Sequence, residues 1–291
     1  MDLDQRTTAH GRLRYGSEET PSPRLRASMP LYDFPETRPG RNAFWQAIRA
    51  ELMRNGIDQL PEGLDFWRPP VPERIEPEVI FSQVCGYPLQ TIFRGQATIL
   101  GTPIYDVEHC DGPTHVGAFV VHRDAPYRRL EDLRGCRFVY NSRHSNSGMN
   151  LPRRAIADIA RGAPFFGSIV ETHSQHGNLD RVAQREADAT CVDNVTYAYF
   201  VRSRPDAASV TRILAVTPPS PSIPFVTSSA TDSATTACLR RALRRVAVAP
   251  EWADLRAGLL LRDIVTVDEA VYSAVLDYER EAAERGYPEL R

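Results

Sequence analysis

Lysine is absent from this chain, whose 35 basic residues are all arginine. A lysine amine forms Schiff bases with carbonyl substrates, so that chemistry is excluded for residues of this chain. The formal net charge is only −2, and the arginines are scattered rather than clustered. A chain without a strong positive field does not attract nucleic acid or an anionic membrane surface. We therefore expect no nucleic-acid partner.

The sequence also lacks a long apolar run. No segment approaches the roughly 20 apolar residues that a membrane-spanning helix needs, so we expect no membrane span. Residues 1–26 are polar and rich in arginine, without the apolar core of a signal peptide. Their composition predicts a flexible N-terminal tail. As written, the chain is predicted to be cytoplasmic; if the start site is misplaced, it is predicted to be periplasmic or lipid-anchored.

Cysteine is scarce and dispersed, with five residues and no Cys-x-x-Cys pair. This pattern argues against a zinc cluster and against a disulfide scaffold. A Gly-x-Ser-x-Gly elbow, a P-loop and a Gly-x-Gly-x-x-Gly turn are also missing. Hydrolase triads, nucleotide phosphates and dinucleotides are therefore disfavoured. We expect no cofactor and no bound metal.

Short apolar runs alternate with helical patterns along most of the chain. Asn42 is predicted to cap a first amphipathic helix that carries Phe44 and Ile48 on one face. The alternation predicts an α/β fold with mainly parallel sheets, whose ligands bind beyond the carboxyl ends of the strands. The predicted strands are Leu25–Leu31, Val79–Val84, Ala97–Leu100, Val116–His122, Arg137–Tyr140, Ser168–Glu171, Ala189–Val192 and Arg212–Val216.

One strand end carries an unusual cluster of small polar residues. The apolar run Arg137–Tyr140 stops at a segment that contains Ser145, Asn146 and Ser147, and a helical pattern begins at Leu151. The first amides of a helix are unpaired and carry partial positive charge. Short hydroxyl and amide side chains beside them can hold an oxyanion such as phosphate. The same residue types cap ordinary helices, so the segment predicts either an anion site or a simple cap.

Several further segments, taken in order, resemble one protein family. They are Leu130–Gly135 before the polar cluster, Ser145–Gly148 itself, Pro164–Gly167 before the next strand, and Arg185–Ala189 leading to Val192–Tyr197. Together they resemble the phosphate, phosphite and phosphonate substrate-binding proteins of ABC transporters. A less studied branch of that family is similar at Met29–Asp33, Ser82–Pro88 and Gly286–Pro288. The likeness covers roughly residues 27–290.

The resemblance implies a type II periplasmic-binding-protein fold, with two α/β lobes, a central cleft and two crossing segments. Lobe one would comprise residues 27–114 and 218–291, and lobe two residues 115–217. The protein would capture a small anionic ligand, phosphonate-like or phosphate-like, in the cleft and deliver it to an ABC permease. The ligand-binding residues that the resemblance implies are Tyr32, Gln83 and Tyr87 from lobe one and Ser145, Asn146, Ser147, His176 and Asp193 from lobe two.

The family also implies roles for these residues. The turn at Ser145–Ser147 would hold the phosphonate oxygens, the two tyrosines would line the cleft, and Asp193 would meet a cationic substituent. The chain departs from the family at Asn146, where the family turn has a hydroxyl. It departs again at Gln83 and Cys85, where the transporter branch has small residues.

Two alternative functions remain open at the level of the sequence. The first is a cytoplasmic enzyme on the same fold that acts on a small carboxylate or a phosphorylated metabolite. Cys85 would then be the nucleophile, and His176 or His144 its base; otherwise Cys85 is a small apolar residue at a strand end. The second alternative is a metal site built from His109, Cys110, His115, His173 and His176.

Overall fold

The computed structural model describes residues 24–291. The predicted flexible tail lies outside the described residues for positions 1–23, and Arg26 belongs to the first strand. The strands are β1 (Arg26–Ala27), β2 (Val79–Gln83), β3 (Ala97–Tyr105), β4 (Thr114–His115), β5 (Gly117–His122), β6 (Arg137–Tyr140), β7 (Ser168–Glu171), β8 (Ala189–Asp193), β9 (Thr211–Val216), β10 (Ser220–Pro221), β11 (Phe225–Ser228) and β12 (Leu261–Val265).

Helices lie between the strands and after them. They are α1 (Arg38–Arg54), α2 (Gly86–Gln90), α3 (Leu151–Ala160), α4 (Gln175–Ala183), α5 (Asn194–Ser203), α6 (Pro205–Ser209), α7 (Ser233–Val248), α8 (Ala253–Gly258) and α9 (Ala274–Glu284). Short 3₁₀ turns occur at Pro35–Thr37, Leu130–Leu133, Pro250–Trp252 and Glu269–Ser273, and a π turn at Asn146–Asn150 leads into α3.

The strands form two five-stranded sheets with the orders β1-β2-β11-β3-β12 and β7-β6-β8-β5-β9. β1 runs parallel to β2, and β6 runs parallel to β7 and β8. The remaining pairs in the two sheets are antiparallel. The sheets are therefore mixed, and the prediction of mainly parallel sheets is wrong. The path of the chain explains the antiparallel pairs of β5 and β11. Each of these two strands enters its sheet directly after the chain has crossed from the other sheet.

The two crossings run side by side. β4 pairs with β10 in antiparallel fashion, with His115 opposite Ser220 and Thr114 opposite Pro221. This short ladder joins two α/β layers, as the sequence predicted for a fold of two lobes with two crossing segments. The lobe boundaries at residues 115 and 217 stay a prediction.

The C-terminal segment, residues 274–291, forms a third connection, which we call the C-terminal strap. It follows Tyr272, which packs in a core cluster beside the first sheet. Ala282 and Tyr287 of the strap are fully buried among apolar residues of the second sheet, including Phe119. The carbonyl oxygen of Arg291 accepts a hydrogen bond from the backbone amide of Phe165 at 2.7 Å. The sequence assigned these residues to lobe one, but their apolar face completes the core of the second sheet.

Helix α1 begins four residues earlier than its predicted cap. Proline in the first turn suits a helix start, because its missing N–H would have no partner there, and Pro39 occupies that place. Asn42 is therefore a helical residue, and its Oδ1 accepts the Leu64 amide at 3.1 Å. The apolar face of α1 lies against the first sheet, with Trp45 stacked on Phe81 of β2.

Candidate ligand-binding site

The polar segment after β6 forms a capped turn at the start of α3. Ser145 has extended backbone angles, and its Oγ accepts the Gly148 amide at 3.0 Å. Ser145, Asn146 and Ser147 are all buried. A Cβ atom at Gly148 would lie 2.1 Å from Oδ1 of Asn141, so any side chain at that position would displace Asn141. We call residues 145–147 the anion turn.

Asn146 links the anion turn to β10, one of the two crossing strands. Its Nδ2 donates to Oγ of Ser220 on β10 at 2.8 Å, and its Oδ1 accepts Nδ2 of Asn150 at 3.0 Å. The Asn150 amide also donates to the carbonyl oxygen of Val275 in the strap at 2.8 Å. The amide that replaces the family hydroxyl thus links three chain segments around the turn.

Asp193 lies at the end of β8 and is fully buried. Its Oδ1 accepts the Val195 amide at 2.9 Å and so caps α5, while its Oδ2 accepts the Tyr32 hydroxyl at 3.0 Å. His115 Nδ1 lies 3.5 Å from the same Oδ2 atom. Burial, and then the negative charge of Asp193, raises the pKa of Tyr32 well above its usual range. Tyr32 is therefore a hydroxyl donor at neutral pH, and it joins the segment before α1 to the second sheet.

Gln175 is a central residue of this network that the sequence did not single out. Its Nε2 donates to Oγ of Ser147 at 3.2 Å. Its Oε1 accepts the Thr196 hydroxyl at 2.9 Å and the Asp193 amide at 3.2 Å. The family resemblance pointed instead to the neighbouring His176.

His176 packs beside the aromatic ring of Phe34, with 5.4 Å between the ring centres. Its pKa is lowered, chiefly because burial disfavours the charged imidazolium and secondly because Arg204 is nearby. His176 is therefore a neutral imidazole at neutral pH. It lies at the wall of a cavity beside the network rather than against the anion turn.

Gln83 and His115 have buried polar side-chain atoms without hydrogen-bond partners among the described residues. Each residue is only 1% exposed. Within residues 24–291, neither the Gln83 amide atoms nor the two His115 ring nitrogens have a hydrogen-bond partner, and Oγ of Ser222 has none either. A buried polar group without a partner costs about 1–3 kcal/mol.

Tyr87 lies apart from this network. Its hydroxyl donates to Oε1 of Glu279 in the strap at 2.8 Å, and its ring packs with Met149 and Val275. Among the predicted site residues, the structure thus brings together Tyr32, Ser145, Asn146, Ser147 and Asp193. Gln83 is placed at the end of β2, where it lines a small cavity together with Tyr32.

Cys85 is buried close to the anion turn. Burial raises the pKa of its thiol to about 11, although the amides of Asn146, Tyr87 and Gly86 oppose this rise. Reactive cysteines have lowered pKa values of about 3.5–7.5, so this thiol is protonated and a poor nucleophile at neutral pH. The raised pKa of the Cys85 thiol therefore does not support the alternative in which Cys85 is a nucleophile with a histidine as its base.

A cavity of about 310 Å³ lies beside the network, between the chain before and after α1 and the ends of strands from the second sheet. We call it the cleft chamber. The residues that line it are Pro30, Leu31, Tyr32, Asp33, Phe34, Phe66, Trp67, Arg68, Pro69, Pro70, Asn141, His173, Ser174, Gln175, His176, Thr196 and Ile223.

Two other predictions concern metals and membranes. Across the part of the chain that the structure describes, no three His, Cys, Asp or Glu side chains come close enough together to share a metal ion. The metal site considered from the sequence therefore has no counterpart among these residues. Over the same range, none of the helices has both the length and the apolar character needed to span a bilayer.

Comparisons with known proteins identify the fold and the family of this chain. Residues 94–272 match the family described as the periplasmic phosphonate substrate-binding proteins of ABC transporters. No curated protein matches the chain. A binding protein of an ABC phosphonate transporter from Pseudomonas aeruginosa is similar in structure, with a TM-score of 0.69 and 13% identity over 90% of this chain and 87% of that one.

Two further solved structures share the fold. A Xanthomonas citri protein bound to ATP has a TM-score of 0.59 and 16% identity over 90% of this chain and 98% of its own. A Prochlorococcus marinus protein in complex with methylphosphonate has a TM-score of 0.57 and 14% identity over 84% of each chain. These likenesses confirm the predicted type II periplasmic-binding-protein fold. Since the family match spans more than half of the 291 residues, the chain belongs to the phosphonate substrate-binding protein family of ABC transporters.

Proposed function

We propose that this chain captures a small ligand with a phosphonate-like or phosphate-like oxyanion at the anion turn and presents it to an ABC permease. The observation that carries the proposal is the link between the polar turn at the start of α3 and the end of β8. The turn offers the amides and hydroxyls of a helix N-terminus, and Gln175 forms hydrogen bonds both with Ser147 of the turn and with the backbone amide of Asp193. The family normally works in the periplasm, and we propose the same compartment for this chain.

The oxyanion would be held mainly by groups that donate hydrogen bonds. The backbone amides at the start of the π turn carry partial positive charge, and the hydroxyls of Ser145 and Ser147 lie beside them. Both hydroxyls have protein partners in the structure, since Ser145 accepts from Gly148 and Ser147 accepts from Gln175. Each hydroxyl oxygen already accepts a bond, and its proton stays available as a donor to an anion.

Asp193 constrains the charge of the ligand. A fully buried carboxylate repels a second negative charge placed near it, because few water molecules screen the interaction. A ligand with a cationic substituent would offset this repulsion by pairing with Asp193, as the family resemblance implies. A ligand without one would leave Asp193 with Tyr32 and His115, as in the structure.

Ligand entry requires the two sides of the cleft to separate. Tyr32 lies before α1, and its bond to Asp193 joins residues that are 161 positions apart in the sequence. A ligand that contacts both sides would favour the closed arrangement over an open one. The enzyme alternative requires a reactive group, and the protonated, buried Cys85 does not provide it.

A thermal-shift screen tests this function. Methylphosphonate, phosphate, phosphite, a sulfonate and acetate are each added over a range of concentrations. A ligand that binds only the folded state raises the melting temperature increasingly with its concentration. We expect this response with methylphosphonate or phosphate, and we expect it to be preserved in Ser168→Ala, which changes an exposed serine away from the turn. A response to acetate alone would favour the enzyme alternative, and no response to any of the oxyanions would contradict the proposal.

A further inference from the structure

The cleft chamber has an aromatic wall on the side of the first sheet. Phe34 and Phe66 line it, and Trp67 stands at its rim with 89% of its surface exposed. The guanidinium of Arg38 lies 5.2 Å from the ring centre of Phe66 and 5.9 Å from that of Trp67. Arg38 thereby supports both rings through cation–π contacts. His176, whose ring centre lies 5.4 Å from that of Phe34, presents a further flat ring beside this wall.

Charges in the chamber wall are already paired. Asp33 forms ion pairs with Arg38 at 2.8 Å and with Arg41 at 2.7 Å. Arg68 pairs with Glu76. His176 is neutral at neutral pH because burial lowers its pKa. A second charged group on a ligand would therefore find no free countercharge here, whereas an uncharged flat group would find rings to pack on.

Only one layer of side chains separates the chamber from the anion turn. Gln175 lines the chamber and donates to Ser147 in the turn. Asn141 also lines the chamber, and its Oδ1 lies against Gly148 at the turn. That buried Oδ1 atom has no hydrogen-bond partner among the described residues. A ligand bound at the turn would enter the chamber by moving these two side chains aside.

We propose that the cleft chamber receives an uncharged aromatic substituent of the same ligand whose oxyanion is held by the anion turn. The ligand class is then an aryl or heteroaryl phosphonate or phosphate ester rather than an alkyl phosphonate. This inference rests on the proposed function. The chamber volume of about 310 Å³ lies at the lower end of the range of about 300–1,000 Å³ for small-molecule pockets. Gln175 and Trp67 are the side chains that select the substituent.

Calorimetric titrations with three probes separate this inference from the proposed function. Methylphosphonate carries the oxyanion alone, phenylphosphonate carries the oxyanion and a ring, and phenol carries the ring alone. We expect phenylphosphonate to bind at least tenfold more tightly than methylphosphonate, and phenol to bind more weakly than either. Because Trp67 is exposed to water, its fluorescence should also change with phenylphosphonate and not with methylphosphonate.

Variants at the rim locate the ring. Trp67→Ala should lower the affinity for phenylphosphonate at least fivefold and leave that for methylphosphonate unchanged. Ile92→Ala removes another exposed apolar side chain, which does not line the chamber, and should change neither affinity. Trp67→Phe should remove the fluorescence change while it keeps most of the affinity.

The outcomes are distinguishable. Equal affinity for methylphosphonate and phenylphosphonate would overturn the aromatic substituent and leave the proposed function standing. Tighter binding of phenylphosphonate that is insensitive to Trp67→Ala would overturn its placement in the chamber. Binding of neither phosphonate, together with no response to phosphate in the thermal-shift screen, would overturn both proposals.

Discussion

At the scale of single residues, burial decides what the chemical groups of the site can do. Tyr32 and Cys85 both have raised pKa values because burial disfavours their charged forms. Tyr32 is thereby a donor to Asp193, and Cys85 is a neutral thiol. Neither property could be predicted from the sequence, because it depends on residues that are distant along the chain.

The thiol of Cys85 gives a direct test of this picture. Cys85, Cys110, Cys136 and Cys191 are buried, and Cys238 is partly exposed. We expect Cys238 to react first with a thiol reagent in the native protein at pH 7, and all five thiols to react after unfolding. In a Cys238→Ser variant, the remaining four should react only at the rate of unfolding. Rapid native labelling of Cys85 in that variant, identified by mass spectrometry, would contradict its assignment as an inert thiol.

Residue roles were predictable where the signal is local. The small polar residues Ser145 and Ser147 stand directly before a helical pattern, and the structure places both in the turn at its start. Gln175 was missed as a partner in the network because it reaches Ser147 of the turn only through the folding of the chain. Tyr87 follows a strand end as predicted, but its hydroxyl donates to Glu279 of the strap. No local sequence pattern predicts that contact.

At the scale of elements, predictions that rest on a local sequence pattern are confirmed, and predictions that depend on contacts between distant segments are wrong. β6 and β7 have the predicted bounds, and α3 begins at the predicted Leu151, because apolar runs and a cap define them locally. The predicted strand Leu25–Leu31 shrinks to the edge strand Arg26–Ala27, because only these residues pair in register with β2.

The strap is the element whose position depends most on tertiary contacts. Gly286 adopts a φ of 73°, which a residue with a side chain rarely adopts, and it turns the chain after α9. Tyr287 then enters the core of the second sheet, and Arg153 of α3 donates to the carbonyl oxygen of Pro288 at 2.9 Å. The strap thus holds the end of the chain against α3, the helix that starts at the anion turn.

Removing the buried ring of the strap should therefore destabilise the protein. Tyr287→Ala is expected to lower the free energy of unfolding by about 3–5 kcal/mol, by analogy with buried Phe or Trp replaced by Ala. Glu289→Ala, at an exposed position in the same segment, should stay within about 0.5 kcal/mol of the unsubstituted protein. Urea unfolding curves measure both changes. Similar curves for the two variants would show that the strap does not hold the second core together.

At the scale of the whole molecule, the structure is an arrangement in which the two sides of the cleft already touch. Tyr32 and Asp193 join them near the chamber, while Asn146 and Ser220 join the anion turn to the crossings. Opening for ligand must break the first contact, whereas the second lies at the crossings and can persist. We therefore expect the cleft to open on the chamber side, where a ligand substituent would also enter.

The central claim is that the anion turn holds the oxyanion of the ligand. Its most direct test is a calorimetric titration of methylphosphonate into the unsubstituted protein and into a variant with Ser145→Ala and Ser147→Ala. Hydrogen bonds to a charged group contribute about 1.5–3 kcal/mol each, so affinity should fall at least tenfold for each serine.

Loss of a helix cap alone costs about 0.5–2 kcal/mol of stability, and Ser145 is such a cap. Asp232→Ala therefore serves as the control, because Asp232 caps α7 on the surface through the Thr235 amide at 2.8 Å. Methylphosphonate should bind the Asp232→Ala variant as tightly as the unsubstituted protein and bind the double serine variant at least a hundredfold more weakly. An unchanged dissociation constant in a folded double serine variant would show that the anion turn does not hold the oxyanion.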